Sequence, residues 1–383
     1  MSKTLASNIR LNRKNRGLTQ LSLSEMLYVS PQTISKWESG ASEPDAEKLC
    51  RLADIFGISL DTLVRNRGEE KKRAFIAVDG GGTKTEFLLF YENGKIIDGV
   101  TLEGSNPNVC GMERVKSILT EGIDRMIKNG NRVEGLFAGI SGASGGDNRE
   151  VLNRFLAEKY PYFKSRVEGD IHNVINSVDG DERCVAVICG TGSVAYAYDG
   201  DSLRRFGGWG YLFDDAGSGF DMGRDLIKHV LLLEDLGESD EISAVLYEKI
   251  GGKVFEHISE IYSGGKDYIA SFAPMVFELY DNGNSVAEKI VEKCVSRLSE
   301  LILQAKERAN CGDNVIISGG LTSRRDILEP LISERLGDRA KLIFPTAKPI
   351  VGAEVKCLKL YGASVNFNGI KDGYSKFEEK DRK

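Results

Sequence analysis

Two unlike segments flank a short charged stretch near the start of the chain: SPQTISKWESG at residues 30–40 and VDGGGTKT at residues 78–85. Before the charged stretch, apolar residues recur with helical spacing. From Phe75 onward they form alternating or continuous strand-like runs that are separated by amphipathic helical segments. Such a change of period predicts a change of fold class. We therefore predict an all-α domain at residues 1–66, a linker at 67–73, and an α/β body from residue 74.

Composition restricts the classes of protein that this chain can form. Of the 383 residues, 41% are hydrophobic and 28% are charged. The sequence contains no apolar run long enough for a membrane-spanning helix. Its N-terminal residues lack the apolar segment of a secretory signal peptide. We expect a cytoplasmic protein. The seven cysteines are scattered without a CxxC pair and there are three histidines, which favours reduced thiols over disulfides or a zinc site. His172, His229 and His257 are far apart in sequence and suggest core or surface roles.

Charge is distributed unevenly along the chain. Residues 1–73 hold 13 Lys/Arg and 9 Asp/Glu, a net charge of +4, whereas the remaining residues hold 38 and 48, a net charge of −10. A basic head on an acidic body favours nucleic-acid contacts at the head alone.

The head has the apolar spacing of five short helices, at about residues 5–16, 19–27, 31–37, 45–56 and 59–64. In the third, Ile34 and Trp37 share the predicted buried face. The residues expected to face outward and contact DNA bases or phosphates are Gln32, Thr33, Ser35 and Lys36, with Gln20 at the preceding helix start and Arg13 as a phosphate contact. A five-helix bundle that binds another protein is the alternative.

Residues 4–66 resemble the Cro/phage-repressor (XRE) helix-turn-helix domains, through GLTQ, VSPQTISKWESG and LADIFGISLDTLV. The resemblance implies binding to double-stranded operator DNA, with a homodimer expected because one short helix contacts few base pairs. Tyr28 stands where that family commonly has glycine in the turn, which predicts some backbone strain.

Three glycine-rich turns follow buried strands in the body. They are Asp79–Thr85 (DGGGTKT) after FIAV, Gly190–Ser193 (GTGS) after VAVIC, and Ser318–Leu321 (SGGL) after VII. Small residues let backbone amides approach a phosphate closely. One such turn alone is more typical of a simple hairpin, but three at intervals of about 110–130 residues favour a duplicated two-lobed fold that binds a nucleotide between its lobes. Asp79 ends a strand and is suited to hold Mg²⁺ through water.

Asp170 lies 20 residues before Gly190, at the start of a predicted short helix. A carboxylate between two phosphate turns could accept the proton of an acceptor hydroxyl during phosphoryl transfer. The alternative is an ordinary helix-capping aspartate. Trp209, in a glycine-rich loop, could stack on a sugar or simply pack locally.

Residues 75–366 resemble the BadF/BadG/BcrA/BcrD ATPases of the actin-like ATPase superfamily, and in particular its N-acetylglucosamine kinases. The segments are DGGGTKT, GSNPNVCG, GISGASGGDN, ICGTGS, GGWGYLFDDAGSGFDMG, SGGL and PIVGAEV. The resemblance implies a two-lobed ribonuclease-H-like fold, with ATP and Mg²⁺ as cofactors. It implies that Asp170 is the catalytic base. The residues that it implies around the nucleotide are Asp79, which would also lie near Mg²⁺, and Gly81, Gly82, Thr83, Lys84, Thr191, Gly192, Gly217, Gly319 and Gly320. The residues that it implies around the sugar are Asn106, Gly208, Trp209 and Asp215. One departure is Ala216, which stands where kinases of this group commonly have glutamate.

The sequence therefore predicts lobe 1 at residues 74–182, lobe 2 at 183–366 with its last helix packed on lobe 1, and a frayed charged tail at 367–383. The expected function is a DNA-binding regulator whose amino-sugar kinase domain senses a metabolite. A regulator that binds ATP or sugar without turnover remains open, as does a kinase with a vestigial DNA module.

Overall fold

A computed structural model of the chain describes residues 3–64, 73–128, 133–180 and 182–381. Its internal contacts divide the chain into two compact units, Met1–Lys72 and Arg73–Lys383, which are described separately below. Most of the predicted linker lies outside the described residues.

The head consists of five helices: α1 (Lys3–Asn15), α2 (Gln20–Leu27), α3 (Pro31–Ser39), α4 (Ala46–Phe56) and α5 (Leu60–Val64). Their starts follow from side-chain caps, because Thr19, Ser30 and Asp45 each accept a hydrogen bond from a backbone N–H three residues later. Leu23, Ile34, Trp37, Leu52 and Phe56 form the centre of one core. The five predicted helices are confirmed, with bounds that differ by at most two residues.

The turn between α2 and α3 requires a left-handed backbone at Tyr28, where φ is 54° and ψ is 47°. A non-glycine residue in this conformation costs roughly 1–2 kcal/mol. The Tyr28 side chain is 83% exposed, so no burial of its ring offsets that cost. The strain expected from the sequence is present in the turn.

The body contains two five-stranded sheets of the same topology. The first holds β1 (Ala74–Gly80), β2 (Lys84–Tyr91), β3 (Ile96–Glu103), β4 (Val133–Ile140) and β5 (Lys164–Gly169), in the order β3-β2-β1-β4-β5. The second holds β6 (Cys184–Cys189), β7 (Ser193–Tyr198), β8 (Leu203–Phe206), β9 (Asn314–Ser318) and β10 (Lys341–Ile343), in the order β10-β9-β6-β7-β8. In each sheet a three-strand antiparallel meander is extended by two parallel strands, which indicates a duplicated lobe.

Helices cover both sheets. They are α6 (Pro107–Cys110), α7 (Met112–Ile127), α8 (Asn148–Lys159), α9 (Ile171–Ile175), α10 (Gly219–Leu236), α11 (Glu241–Ile250), α12 (Ile258–Ala270), α13 (Ala273–Asp281), α14 (Ser285–Glu307), α15 (Arg325–Leu336), α16 (Pro349–Leu360) and α17 (Phe367–Asp381). Helix α16 follows the second sheet in sequence, yet its Ile350 and Ala353 pack with Phe75 and Ala77 of β1. The chain thus returns to the first lobe after completing the second.

The prediction of a frayed tail is wrong for the described residues, because α17 packs on the first lobe. Ile370 and Tyr374 are 1% and 4% exposed and belong to the same core cluster as β1 and α16. The Tyr374 hydroxyl also donates a 2.7 Å hydrogen bond to Glu86 on β2. Ile370 and Tyr374 are four residues apart and therefore share one face of the helix, and their burial drives the docking of α17 despite its many charged residues.

The seven cysteines are all free thiols, and five are buried. Within the part of the chain that the structure describes, no helix has the length and apolarity needed to cross a bilayer. The fold class is confirmed as a helical helix-turn-helix region followed by a two-sheet α/β domain.

Candidate functional site

The turn between β6 and β7 is the centre of the body's site. The Gly190 N–H donates to Gly192 O at 2.8 Å and closes the turn, and the first turn of α10 docks on it through Gly219 N–H to Gly190 O, also 2.8 Å. The start of an 18-residue helix thus lies beside small backbone groups. Helix N-termini and closely packed amides favour anions.

A cavity of about 510 Å³, the turn cavity, opens on one side of this turn. Its lining combines backbone at strand ends with an apolar wall: Gly190, Thr191, Gly219, Ala273, Phe277, Gly320, Leu321 and Arg324 are among its residues. The Arg324 guanidinium lies 5.3 Å from the Phe277 ring centroid. Flat apolar and guanidinium surfaces beside a glycine turn suit an aromatic base joined to phosphates.

A second cavity of about 350 Å³, the carboxylate cavity, opens on the other side of the same turn. Its lining includes Ser141, Asp170, Gly192, Tyr196, Arg205, Gly208, Asp215 and Lys266. Thr191 lines the first cavity and Gly192 the second. The two cavities therefore meet at two consecutive residues of the turn, Thr191 and Gly192, each of which lines one of them.

Asp170 lies between β5 and α9 and is half-buried at the edge of the carboxylate cavity. Burial raises the pKa of its carboxyl, while a hydrogen bond from Ser141 opposes that rise. Its side chain makes no cap bond to α9. The helix-capping alternative is therefore not supported, and the carboxylate faces the cavity instead.

Asp215 and Lys266 form the other polar wall of this cavity. Lys266 Nζ lies 2.7 Å from Asp215 Oδ2, and the Asp215 side chain is 4% exposed. The second oxygen of Asp215 accepts a 3.3 Å bond from Ser193 N–H. Asp215 has φ of 77°, a left-handed conformation that is uncommon for aspartate and is often found at functional sites.

A kink in α12 positions Lys266. Gly265 has φ 61° and ψ −152° inside an otherwise helical segment, a conformation open essentially only to glycine. The residue that follows the kink is Lys266, which lines the carboxylate cavity.

Asp79 is the penultimate residue of β1, and the charge of Asp170 acts on it. Burial raises the pKa of Asp79 to about 6; the Asn173 hydrogen bond opposes this rise and repulsion from Asp170 adds to it. Asn173 Nδ2 donates to Asp79 Oδ1 at 2.6 Å. Gly139 is required beside it, because a Cβ there would lie 2.2 Å from the Asn173 amide oxygen.

The structure brings together part of the predicted site. Asp170, Gly192, Gly208 and Asp215 line the carboxylate cavity, and Thr191 and Gly320 line the turn cavity. Of the remaining predicted residues, all of them described, none lines either cavity: Asp79, Gly81, Gly82, Thr83, Lys84, Asn106, Trp209, Gly217 and Gly319.

Several of these residues have a visible structural task. Gly217 has φ of 76° and lies against α14, where a Cβ would come within 2.9 Å of Cys294 O. Gly319, with φ of 109°, lets β9 end against Cys189 of β6. Asn106 donates to Ser141 at 3.3 Å and caps α6. Trp209 is 66% exposed, with the Arg205 guanidinium 4.7 Å from its ring.

The outward face predicted for α3 is present in the head. Gln32, Ser35 and Lys36 are exposed, while Ile34 and Trp37 are buried. Thr33 is half-buried, and its hydroxyl lies 2.9 Å from that of the capping Ser30.

Arg13 does not serve as the exposed phosphate contact that was predicted. It is 9% exposed, its Nε donates to Glu38 at 2.5 Å, and its Nη1 donates to Leu18 O at 2.7 Å. Gln20 Nε2 also donates to Glu38, at 2.8 Å. Burial alone would raise the pKa of Glu38, but the bonds from Arg13 and Gln20 hold it below its usual range. Arg13 and Glu38 therefore join α1 to α3 as a structural ion pair.

Sequence reasoning missed Lys266, Arg205, Tyr196, Ser141 and Asn173. These residues lie in five different elements or loops, so no local motif gathers them. Lys266 had one visible signal, the Gly264-Gly265 pair inside a helical pattern, which marks a helix interruption.

Two sheets of the same topology, with cavities beside a glycine turn, give the body the two-lobed α/β fold of the sugar kinases, and a helix-turn-helix domain precedes it. Residues 76–355 match the BadF/BadG/BcrA/BcrD ATPase family, and the chain belongs to it. Residues 9–63 match the helix-turn-helix domain. Both resemblances inferred from sequence are confirmed.

Individual relatives agree with this assignment. The chain is 27% identical to an N-acetyl-D-glucosamine kinase of Dictyostelium discoideum, over 75% of this chain and 98% of that protein. A solved structure from Chromobacterium violaceum superposes with a TM-score of 0.58 at 22% identity, covering 74% of this chain and 98% of that one. The head is 45% identical over 58 residues to the HTH-type transcriptional activator BcrR of Enterococcus faecalis, covering 15% of this chain and 28% of BcrR.

Proposed function

We propose that this protein is a DNA-binding transcriptional regulator whose body is an ATP-dependent amino-sugar kinase that also serves as its metabolite sensor. N-acetylglucosamine and N-acetylmuramate are the favoured substrates. The single observation that carries the kinase proposal is the shared turn: Thr191 lines the turn cavity and Gly192 the carboxylate cavity. A nucleotide in the first cavity would direct its terminal phosphate toward Asp170 in the second.

The proposed reaction is in-line phosphoryl transfer. The Asp170 carboxylate accepts the proton of a sugar hydroxyl, whose oxygen bonds to the γ-phosphorus while the bond to the β-phosphate oxygen breaks and ADP leaves. Asp215, held by Lys266 and Ser193, would accept hydrogen bonds from sugar hydroxyls. The raised pKa of Asp170 suits a group that must take up a proton.

The residues present fit a hydrated Mg²⁺. The described residues contain no group of three or more His, Cys, Asp or Glu that could hold a metal, and Mg²⁺ bound to nucleotides usually keeps several waters and takes few protein ligands. Asp79, with one oxygen bonded to Asn173, would hold such an ion through water. Bound Mg²⁺ would neutralise charge on the phosphates.

The head supports the regulatory half of the proposal. Gln32, Ser35 and Lys36 project from α3 without burial, and such groups contact base edges and phosphates in the major groove. We propose that two heads bind a pseudo-palindromic operator as a homodimer. Sugar and nucleotide binding would alter the body and thereby operator affinity.

A second candidate function is a regulator that binds sugar and ATP without turnover. It is favoured by Ala216, which stands where kinases of this group commonly have glutamate. The Ala216 N–H donates a 3.4 Å hydrogen bond to Asp214 Oδ1. Operator affinity would then depend on ligand occupancy alone.

The deciding experiment incubates the full chain with labelled ATP, Mg²⁺ and a panel of amino sugars, and measures phosphosugar formation. Product from an N-acetylated hexosamine, and none from the matched hexose, supports the kinase. Calorimetric binding of the sugar without product supports the second candidate. Operator titrations with and without saturating sugar and a non-hydrolysable ATP analogue test the sensor, and identical affinities would contradict it.

A further inference from the structure

A third cavity of about 260 Å³, the side cavity, adjoins the carboxylate cavity. Ser144, Tyr196 and Arg205 line both. Tyr196 shares the lining of the carboxylate cavity with Asp170 and also lines the side cavity, so it stands where the two cavities meet. A substituent on a sugar in the carboxylate cavity could therefore extend into the side cavity.

Arg205 contributes an uncompensated positive charge at the junction of the two cavities. Its guanidinium donates to the carbonyls of Gly207, at 3.0 Å, and Gly208. Among the residues that the structure describes, no carboxylate lies within ion-pairing distance of it. Nearby Arg149, in contrast, contacts Glu150 at 2.9 Å and Glu168 at 3.3 Å.

The other arginines and glutamates at the side cavity balance one another, because Arg149 and Arg166 stand against Glu150 and Glu168. Glu168 also pairs with Arg166, at 2.5 Å. With Arg205 included, three arginines stand against two glutamates, so the unbalanced positive charge is that of Arg205.

His172 supplies an independent sign that a polar ligand belongs here. It is 9% exposed, lines the side cavity, and its Nδ1 has no hydrogen-bond partner. Burial lowers the pKa of His172 to about 4, with Lys356 acting in the same direction, so the ring is neutral at pH 7. Unpartnered buried polar atoms are rare in folded proteins and call for an explanation.

The remaining wall is apolar. Leu203 and Ala143 line the side cavity, and both can pack against a short alkyl group. A positive guanidinium, an unpartnered imidazole nitrogen, a serine hydroxyl and an apolar wall together match a short carbon chain that ends in a carboxylate.

We propose that the side cavity is a subsite for a carboxylate-bearing substituent of the sugar, with Arg205 as the residue that selects it. This inference rests on the proposed function, and it narrows the substrate class to acidic N-acetylated hexosamines. The carboxylate would pair with Arg205 and bond to Ser144 and His172, while the hexose ring lies beside Asp170.

The test measures Kd by calorimetry, and kcat/KM where turnover occurs, for N-acetylmuramate and N-acetylglucosamine on the full chain. We expect N-acetylmuramate to be favoured by about tenfold or more, the change expected from one charge-assisted hydrogen bond. Arg205→Ala should remove that ratio, and Arg205→Lys should retain part of it. Arg204→Ala is the matched control, because Arg204 is also on β8 but bonds to Arg308 O and does not line the cavity.

The ratio of the N-acetylmuramate and N-acetylglucosamine affinities distinguishes recognition of the carboxylate by Arg205 from support of the loop at Gly207 and Gly208. Loss of the loop contacts alone would weaken the binding of both sugars to the same extent. An unchanged ratio in Arg205→Ala, or a wild-type preference for N-acetylglucosamine, would overturn the subsite and leave the kinase proposal standing. Tighter binding of N-acetylglucosamine 6-phosphate than of N-acetylmuramate would also overturn it, in favour of a phosphate site. A protein that binds neither N-acetylated sugar contradicts both proposals.

Discussion

Lys266 Nζ and Asp215 Oδ2 lie 2.7 Å apart in the wall of the carboxylate cavity, and both residues have unusual backbone surroundings. Asp215 is itself left-handed, and Lys266 follows the non-helical Gly265. Two uncommon backbone conformations thus serve one ion pair, which suggests that its position matters for the substrate.

Lys266→Met should reduce phosphoryl transfer roughly a hundredfold, since a misplaced substrate-positioning group can cost that much. The buried carboxylate of Asp215 would lose its cation and its fixed orientation. Lys266→Arg should restore part of the rate. Lys228→Met, at an exposed position on α10, is the control, and equal kcat/KM values for the Lys266→Met and Lys228→Met proteins would show that the pair has no role.

Asp170→Asn should lower turnover by about 10²–10⁴-fold, the usual contribution of a general base. Affinity for ADP should change little, because Asp170 does not line the turn cavity. Steady-state kinetics and calorimetry measure the two effects. Asp147→Asn, at an exposed position preceding α8, should retain wild-type turnover. Near-normal turnover of Asp170→Asn would show that another group accepts the proton.

Glu354 on α16 should make the body less stable as pH rises. It is fully buried, and neither carboxyl oxygen has a hydrogen-bond partner. Burial, together with repulsion from Glu86, raises the pKa of Glu354 well above its usual value. Since the folded-state pKa exceeds the unfolded value, the protonated form is favoured in the fold. Its stabilising contribution is complete below about pH 4.3 and is lost as pH rises toward the folded pKa.

Glu354→Met, a replacement of similar length without the charge, should therefore raise the thermal unfolding midpoint of the body more at pH 8 than at pH 5. Glu248→Met, at an exposed position on α11, controls for the general effect of methionine. An equal shift at both pH values would mean that Glu354 finds a partner in solution.

The sequence was sufficient for the fold because its signals were local and repeated. Thr19, Ser30 and Asp45 mark helix starts by their own chemistry, and the glycine turns follow continuous buried strands. The tail was misjudged because its apolar residues, such as Ile370 and Tyr374, are widely spaced among charges. Their burial depends on the face of β1 and α16, a long-range contact that no local pattern encodes.

The site was only partly predictable for the same reason. Asp170 and Gly192 lie within recognisable segments, whereas Arg205 on β8 and Lys266 on α12 approach them only in the folded lobes. Arg13 was misassigned because a basic residue near a DNA-binding face suggests a phosphate contact. Its partner Glu38 is 25 residues away, and only the packing of α1 on α3 shows that the charge is already paired.

Arg13→Ala should unfold the head rather than merely weaken phosphate contacts. Removing one partner of a buried ion pair typically costs about 3–5 kcal/mol, and the Glu38 side chain is only 4% exposed. Operator binding and the head's thermal transition should be lost together. Lys14→Ala, at an exposed neighbouring position, should leave the transition in place. Arg13→Ala with an unchanged transition and a lower salt dependence of binding would restore the original phosphate-contact assignment.

Gln32→Ala should change which operator the protein prefers while leaving the head folded. Gln32 is exposed at the start of α3, where a side-chain amide can form a bidentate contact with adenine. We expect the binding free energy to the preferred operator to fall by about 1–3 kcal/mol, and the preference for one base to be relaxed at the base pair that Gln32 contacts. Lys36→Ala should instead weaken binding to all DNA sequences similarly. It should also reduce the slope of log affinity against log salt concentration by about one. Selection of bound sequences from a random DNA pool, followed by titrations at several salt concentrations, separates the two outcomes. If Gln32→Ala selects the wild-type sequence with undiminished preference, another residue on α3 must recognise the bases.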